Sequence, residues 1–123
     1  MTELKSEGTG TGTVRIADDV LAIIAGTAAL EAEGVAGLAG YYSNDVNNKA
    51  VRKHMAKGVN VKVEEDSASF HIVISVKFGT KLQEVSREVQ QRVKGAIETM
   101  TGLTVAEVNI SVNTLVDENK RRM

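Results

Sequence analysis

Alternation of apolar and polar residues marks the middle of the chain as a strand. Over residues 68–78 every second residue is apolar. Because successive side chains of a strand point to opposite faces, this pattern predicts one covered face and one open face. The residues expected on the covered face are Ala68, Phe70, Ile72, Ile74, Val76 and Phe78. The residues expected on the open face are Ser69, His71, Val73, Ser75 and Lys77.

Three other segments have strand patterns. Val59, Val61 and Val63 alternate with polar residues before a turn at residues 65–67, and a short strand is expected from Val14 to Ile16. Near the end of the chain, valine and isoleucine alternate with small polar residues. The polar residues expected on the open face of this last strand are Asn109, Ser111 and Asn113.

Two segments have the period of an amphipathic helix. The first begins at Asp18, runs to about Glu33 and is followed by Gly34, a residue suited to a left-handed helix end. Its expected buried face is Val20, Ile23, Ile24, Thr27 and Leu30. The second begins at Thr80, which forms a capping-box pattern with Gln83, and stops at Gly102. Its apolar stripe is Leu82, Val85, Val89, Val93, Ala96, Ile97 and Met100.

The order of these elements is β-α-β-β-α-β. Since each strand has one apolar face, we expect a two-layer α+β sandwich with two helices on one face of a four-stranded, mainly antiparallel or mixed sheet. In its usual form this order gives a split β-α-β arrangement. We expect a flexible arm over residues 1–12, one domain over residues 13–116 and a charged tail over residues 117–123. Residues 35–42 and 44–58 are expected to be loops, the second with a helical turn around residues 49–55.

Composition narrows the chemistry. The 123 residues include no cysteine, two histidines and four aromatic residues, and the net charge is −1. Disulfide and thiolate chemistry are therefore excluded, and two scattered histidines do not make the three or four ligands of a zinc site. No apolar run is long enough for a transmembrane helix. We expect no catalytic residue, no metal and no cofactor.

The chain has one basic cluster, formed by Lys49, Arg52, Lys53 and Lys57. With Asp45 as the nearby carboxylate, residues 45–57 have a net charge of +3. The cluster suits contact with an anionic partner, such as a protein, a lipid headgroup or a nucleic acid, although charge runs more often serve only to keep a loop solvated. Nucleic-acid binding is the weakest of these interpretations, because Phe70 and Phe78 are expected on the covered face rather than available for base stacking.

An ordered set of short blocks resembles the alkaline shock protein family of Gram-positive envelope-stress proteins. The resemblance extends from about Gly12 to Val116, and only residues 41–56 are longer and more basic than the family pattern. The matching blocks are residues 13–20, 24–26, 34–37, 57–61, 76–79, 89–94, 100–103 and 108–112.

The resemblance implies a function without assigning any catalytic residue. It implies a non-enzymatic cytoplasmic protein of envelope stress and cell-envelope homeostasis that acts through protein–protein contacts. The partner would be a membrane anchor protein that holds the chain at the membrane, or a lipid-synthesis enzyme; self-association is left open. The alternatives are a regulatory binding module of fatty-acid synthesis, associated with acetyl-CoA carboxylase, and a nucleic-acid binder that uses the basic loop.

Reversing the basic cluster tests its role. If the cluster binds an anionic partner, substitution of Lys49, Arg52, Lys53 and Lys57 by Glu should abolish that association in pull-downs and leave the circular dichroism spectrum unchanged. The wild-type association should also weaken as salt rises, because surface charges are screened over about 8–10 Å at physiological ionic strength. Retention of the same partners by the reversed protein would remove the cluster from consideration.

Overall fold

Two helices pack on one face of a mixed sheet that is centred on a single long strand. The computed structural model describes residues 2–5, 13–38 and 58–117. The strands in these ranges are β1 (Thr2–Lys5), β2 (Thr13–Ile16), β3 (Val35–Leu38), β4 (Val59–Glu64), β5 (Ser67–Lys77) and β6 (Thr104–Val116). The helices are α1 (Asp18–Leu30) and α2 (Leu82–Thr101). This arrangement confirms the predicted two-layer α+β class.

Strand β5 organises the sheet because it pairs along both of its edges. One edge pairs antiparallel with β4 over residues 67–72 and antiparallel with β3 over residues 74–76. The other edge pairs in parallel with β6 along the whole of β5. A strand of 11 residues is long enough for β3 and β4 to lie end to end along one edge. The sheet is therefore mixed, as expected.

The strand order differs from the split β-α-β arrangement. The strands on either side of α2, β5 and β6, are direct neighbours, so no strand is inserted between them. They form an uninterrupted β-α-β unit, for which a helical crossover is the usual connection between parallel strands. The fourth position in the sheet is filled by β3, a segment for which the sequence predicts a loop. Its four residues, two of which are alanine and glycine, are too few to show strand periodicity.

Strand β2 lies outside this sheet. It pairs antiparallel with β1, from Thr2 opposite Ile16 to Lys5 opposite Thr13. The structure thus has a paired strand over Thr2–Lys5, where the sequence predicts part of a flexible arm. The local sequence carries little sign of this strand, since its four residues include two charged ones.

The covered face of β5 forms the centre of the core. Its predicted residues from Ala68 to Val76 are at most 1% exposed, which confirms the assignment of faces. The alternation also predicts Phe78 on this face, but Phe78 is 69% exposed. The strand ends one residue earlier, at Lys77, and the chain turns at Gly79 with a φ of 91°. Phe78 therefore leaves the alternation that includes the other five.

The buried face of α1 is not the predicted one. The residues of the predicted face are half-buried or, for Val20, 47% exposed. The buried residues are Leu21, Ala22, Ala25, Gly26, Ala28 and Ala29. Five of these six are alanine or glycine, so the helix axis can approach its neighbours closely, and α1 contacts α2, β3 and β4. The prediction assumed that the larger apolar side chains of α1 would be buried. The helix instead buries its small residues, because they allow the closest packing.

The centre of the predicted stripe on α2 is confirmed. Val85, Val89, Val93 and Ile97 are buried, whereas Leu82 and Met100, at the two ends of the helix, are exposed. The predicted capping box is wrong. The N-cap is Lys81, no side chain caps the helix, and Thr80 instead places its methyl group beside Gly34.

A polar network fastens the end of α1 to α2. Arg92 Nε donates to Glu88 Oε1 at 3.1 Å, a pair four residues apart on the same helix. Glu88 Oε2 also accepts the backbone N–H of Glu33 at 3.2 Å, and Arg92 Nη1 lies 3.8 Å from Glu31 Oε2. Both helices are thus linked through exposed groups, in addition to their apolar contact.

Two glycines adopt the left-handed conformation that is expected of helix ends. Gly102 is the C-cap of α2, with a φ of 78° and an N–H that donates to the carbonyl of Glu98. Gly34 also has a positive φ, of 93°, but α1 has already ended, with Glu31 as its C-cap. Gly34 lies instead in the turn into β3, where the chain passes close to the start of α2.

We predict that Gly34→Ala destabilises the protein by about 2 kcal/mol or more in urea unfolding. A Cβ at this position would lie 2.6 Å from Thr80 Cγ2 and 2.8 Å from Val85 Cγ2, and the positive φ disfavours any L side chain. Gly95→Ala is the matched control, because nothing lies within 4 Å of its Cβ position on α2. The control should be stabilised by up to about 1 kcal/mol. Equal effects of the two substitutions would contradict the packing described for Gly34.

Candidate functional site

The face of the sheet opposite the helices carries a row of polar side chains from three strands. Asn60 of β4 is paired with His71 of β5, which is paired with Asn109 of β6. All three side chains are exposed. Because neighbouring strands lie about 4.8 Å apart, the row spans about 10 Å across the sheet. We call the surface formed by Asn60, His71, Val73, Asn109 and Ser111 the open face.

Side-chain hydrogen bonds join β5 to β6 on this surface. His71 Nε2 and Ser111 Oγ share a hydrogen bond of 2.7 Å, and Ser75 Oγ donates to Asn113 Oδ1 at 3.5 Å. The predicted open-face residues of β5 and β6 are therefore brought together. Ser75 is the exception to the expected exposure, since it is fully buried. Its hydroxyl nevertheless has a partner, and no buried side-chain polar atom among the described residues lacks one.

Charged residues on the same side of the sheet form a second row next to this one. One step along the sheet, Lys62, Ser69 and Glu107 form the adjacent row, and Lys62 Nζ lies 3.4 Å from Glu64 Oε1. The open face itself consists of neutral amide, hydroxyl and valine groups together with one imidazole. It contains no Asp, Glu, Lys or Arg and lies beside a row that carries both signs of charge.

Such a patch can bind another protein surface at low cost. Removing water from neutral amides and hydroxyls costs less than removing it from charges, and short side chains lose less rotamer entropy than Lys or Glu. The amides and hydroxyls still offer donors and acceptors that give the contact direction. Phe70 is buried on the opposite side of the sheet, as expected, so it cannot stack on a nucleic-acid base here.

The described residues include neither a metal-binding cluster nor a membrane-spanning helix. Within residues 2–5, 13–38 and 58–117, no group of three or more His, Cys, Asp or Glu side chains is placed to hold a metal ion. In the same part of the chain, no helix combines the length and the apolar character needed to cross a membrane.

Sequence reasoning found part of this surface. It places the residues of β5 and β6 on the open face, but it does not include Asn60. The alternation of Val59, Val61 and Val63 already assigns Asn60 to that face; what the sequence lacks is the strand register that sets it beside His71. The predicted basic cluster, formed by Lys49, Arg52, Lys53 and Lys57, lies outside the described residues, and its role stays a prediction.

Comparison with known sequences identifies the protein family to which this chain is similar. The sequence model of the alkaline shock protein family, described as having a cell envelope-related function, matches residues 6–116. The uncharacterized protein YqhY of Bacillus subtilis is 32% identical over 110 residues, which cover 89% of this chain and 82% of YqhY. The uncharacterized protein Spy1614 of Streptococcus pyogenes is 35% identical over 112 residues, which cover 88% of this chain and 93% of Spy1614. Neither relative supplies a described activity that could be compared with the open face.

Comparison with solved structures finds chains with a similar fold. The structure titled MamM-CTD 215-293 has a TM-score of 0.50 and 11% sequence identity, and the match covers 80% of this chain and 99% of that one. At this identity the likeness concerns the arrangement of helices and strands alone.

Proposed function

The chain belongs to the alkaline shock protein family, which has a cell envelope-related function, and we propose that it serves the envelope as a non-enzymatic protein that binds other proteins. In this proposal it works in the cytoplasm and reaches the membrane through a partner protein. We also propose that it acts under envelope stress, and its membership of this family supports that role.

The observation that carries the proposal is the row formed by Asn60, His71 and Asn109. The helices cover the other side of the sheet, so this row is presented to solvent on a support of paired strands. Rigid presentation lowers the entropy lost on binding, and the hydrogen bond with Ser111 restrains the His71 side chain in advance. These are properties of a contact surface rather than of a reaction centre.

Charge and bulk placed on this row test the proposal. We predict that the double variant Asn60→Arg, Asn109→Arg fails to restore growth under envelope stress to a strain that lacks the protein. Both residues are exposed, so the variant should fold, and its arginines would hold a docking partner away from the sheet. The measurements are growth under stress and the set of proteins that are cross-linked to the tagged variant in cells.

The matched control is Gln91→Arg, Thr99→Arg, which adds the same charge at two exposed positions of α2. It should restore growth and retain the cross-linked partners. Urea unfolding and cellular abundance must be equal for the two variants. Full restoration of growth by the open-face variant, with its cross-linked partners retained, would show that the row is not the contact surface.

A further inference from the structure

The outer edge of β6 has main-chain groups without a strand partner. Within the described residues β6 pairs with β5 alone, so its other edge is unpaired over a strand of 13 residues. An unpaired edge of this length is a template for a further strand, and proteins commonly blunt such edges.

Hydrogen bonds at both ends of β6 fix which residues face outward. The N–H of Thr104 donates to the carbonyl of Asp66, and the carbonyl of Val116 accepts from Phe78, so both residues face β5. Main-chain direction alternates along a strand, except at the two register shifts, between Val105 and Glu107 and between Val112 and Thr114. The residues that face outward are therefore Val105, Val108, Ile110, Val112 and Leu115.

Side chains of α2 already occupy one half of this edge. The N–H of Val105 donates to Glu98 Oε2 at 3.0 Å, and Gln90 Nε2 donates to the carbonyl of Val108 at 3.0 Å. Beyond Val108, neither of the two described helices supplies such a partner to the edge. Among the described residues, the half from Ile110 to Leu115 is thus the part of the edge that remains open to strand addition.

A shallow groove lies on the flank of α2 that faces β6. It is lined by Leu82, Gln83, Ser86, Arg87 and Gln90, and the bond from Gln90 to Val108 places this flank of the helix against β6. Leu82 is 44% exposed and Leu115 is 54% exposed. Apart from Leu82, the residues that line the groove are polar. A groove between a helix and a free strand edge is an arrangement in which an extended peptide binds by main-chain pairing while its alternate side chains enter the groove.

We propose that the edge groove, formed by Ile110, Val112 and Leu115 of β6 with Leu82, Ser86 and Arg87 of α2, binds an extended segment of a partner protein as an added strand. Six residues from Ile110 to Leu115 span about 20 Å, so the segment has about five to seven residues. Side chains of the segment that point toward α2 meet Leu82 and Leu115 and are apolar. Those that point the other way lie beside Ser111 and Asn113 and are small or polar.

The charge of Arg87 at the groove indicates that the partner segment contains an acidic residue. Arg87 is exposed and has no ion pair with any described residue, and no carboxylate from the described part of the chain lines the groove. An acidic side chain in the added segment would pair with Arg87. The occupant is therefore an extended apolar segment with at least one carboxylate. This site is separate from the open face and does not rest on the function proposed for it.

A displayed library of random heptapeptides, selected on the full chain, is the probe. The expected result is enrichment of peptides with apolar residues at alternate positions and at least one acidic residue. An enriched peptide should slow hydrogen exchange at the amides of Val112 and Leu115, which face outward. Failure to enrich any peptide, or protection that excludes these two amides, would overturn the proposal.

Variants of the edge groove identify the contacts that matter. Val112→Pro removes an outward N–H and keeps the pairing of β6 with β5, because proline is tolerated where the N–H faces solvent on an edge strand. Leu115→Glu places a charge at an exposed position and should leave the fold intact. We expect each variant to weaken peptide binding about tenfold or more, as measured by fluorescence anisotropy. Arg87→Glu should weaken it about threefold or more.

The matched controls are Met100→Glu, for an exposed apolar residue at the far end of α2, and Lys94→Glu, for an exposed cation of the same helix. Both should bind the peptide within about twofold of wild type. If Val112→Pro does not fold, Leu115→Glu and Arg87→Glu decide the outcome. Wild-type affinity in these two variants would overturn the site. Dimerisation of the wild-type chain that Leu115→Glu abolishes would overturn the proposal of a partner protein, because it would assign the edge to a second copy.

Discussion

The pairing of β5 along both edges is the constraint on which the rest of the structure depends. Its covered face supplies five core residues that are at most 1% exposed, and the burial of each large side chain among them contributes about 1.5–3 kcal/mol. Net stabilities of domains are about 5–15 kcal/mol, so losing two such side chains would remove much of the margin. Because β3, β4 and β6 all pair with β5, its position sets the register of every other strand in this sheet.

The packing of the helices follows from this sheet. Helix α2 connects two parallel neighbours, and its stripe of valines belongs to the same core cluster as the buried residues of β5 and β6. Helix α1 then has to fit beside α2, above β3 and β4, and small residues on its buried face let it approach. In the turn that follows α1, Gly34 packs so closely on the start of α2 that there is no room for even one carbon atom next to Thr80 and Val85.

Sequence reasoning predicts the features that have a long and regular pattern. The faces of β5, the stripe of α2 and the left-handed Gly102 each follow from repeated or well-known local signals. It fails where a segment is too short to show a period, or where the buried face of a helix depends on how the neighbouring elements pack. Four residues of β3 carry no usable period, and the face of α1 depends on how closely neighbouring elements approach. The row across the open face is only partly predictable, because register joins Asn60 to His71 and no local pattern encodes register.

Strand β6 contributes residues to both the open face and the edge groove, because successive side chains of a pleated strand point to opposite sides of the sheet. Asn109 and Ser111 point to the open face, while Ile110 and Val112 point to the helix side and turn their main-chain groups outward. The register shift between Val112 and Thr114 adds a residue, so that Leu115, not Thr114, continues the outward series. If the alternation continued past Val112 without this shift, Thr114 would face outward and Leu115 would face β5. A bulge confined to one residue therefore determines which side chains this edge presents to a partner.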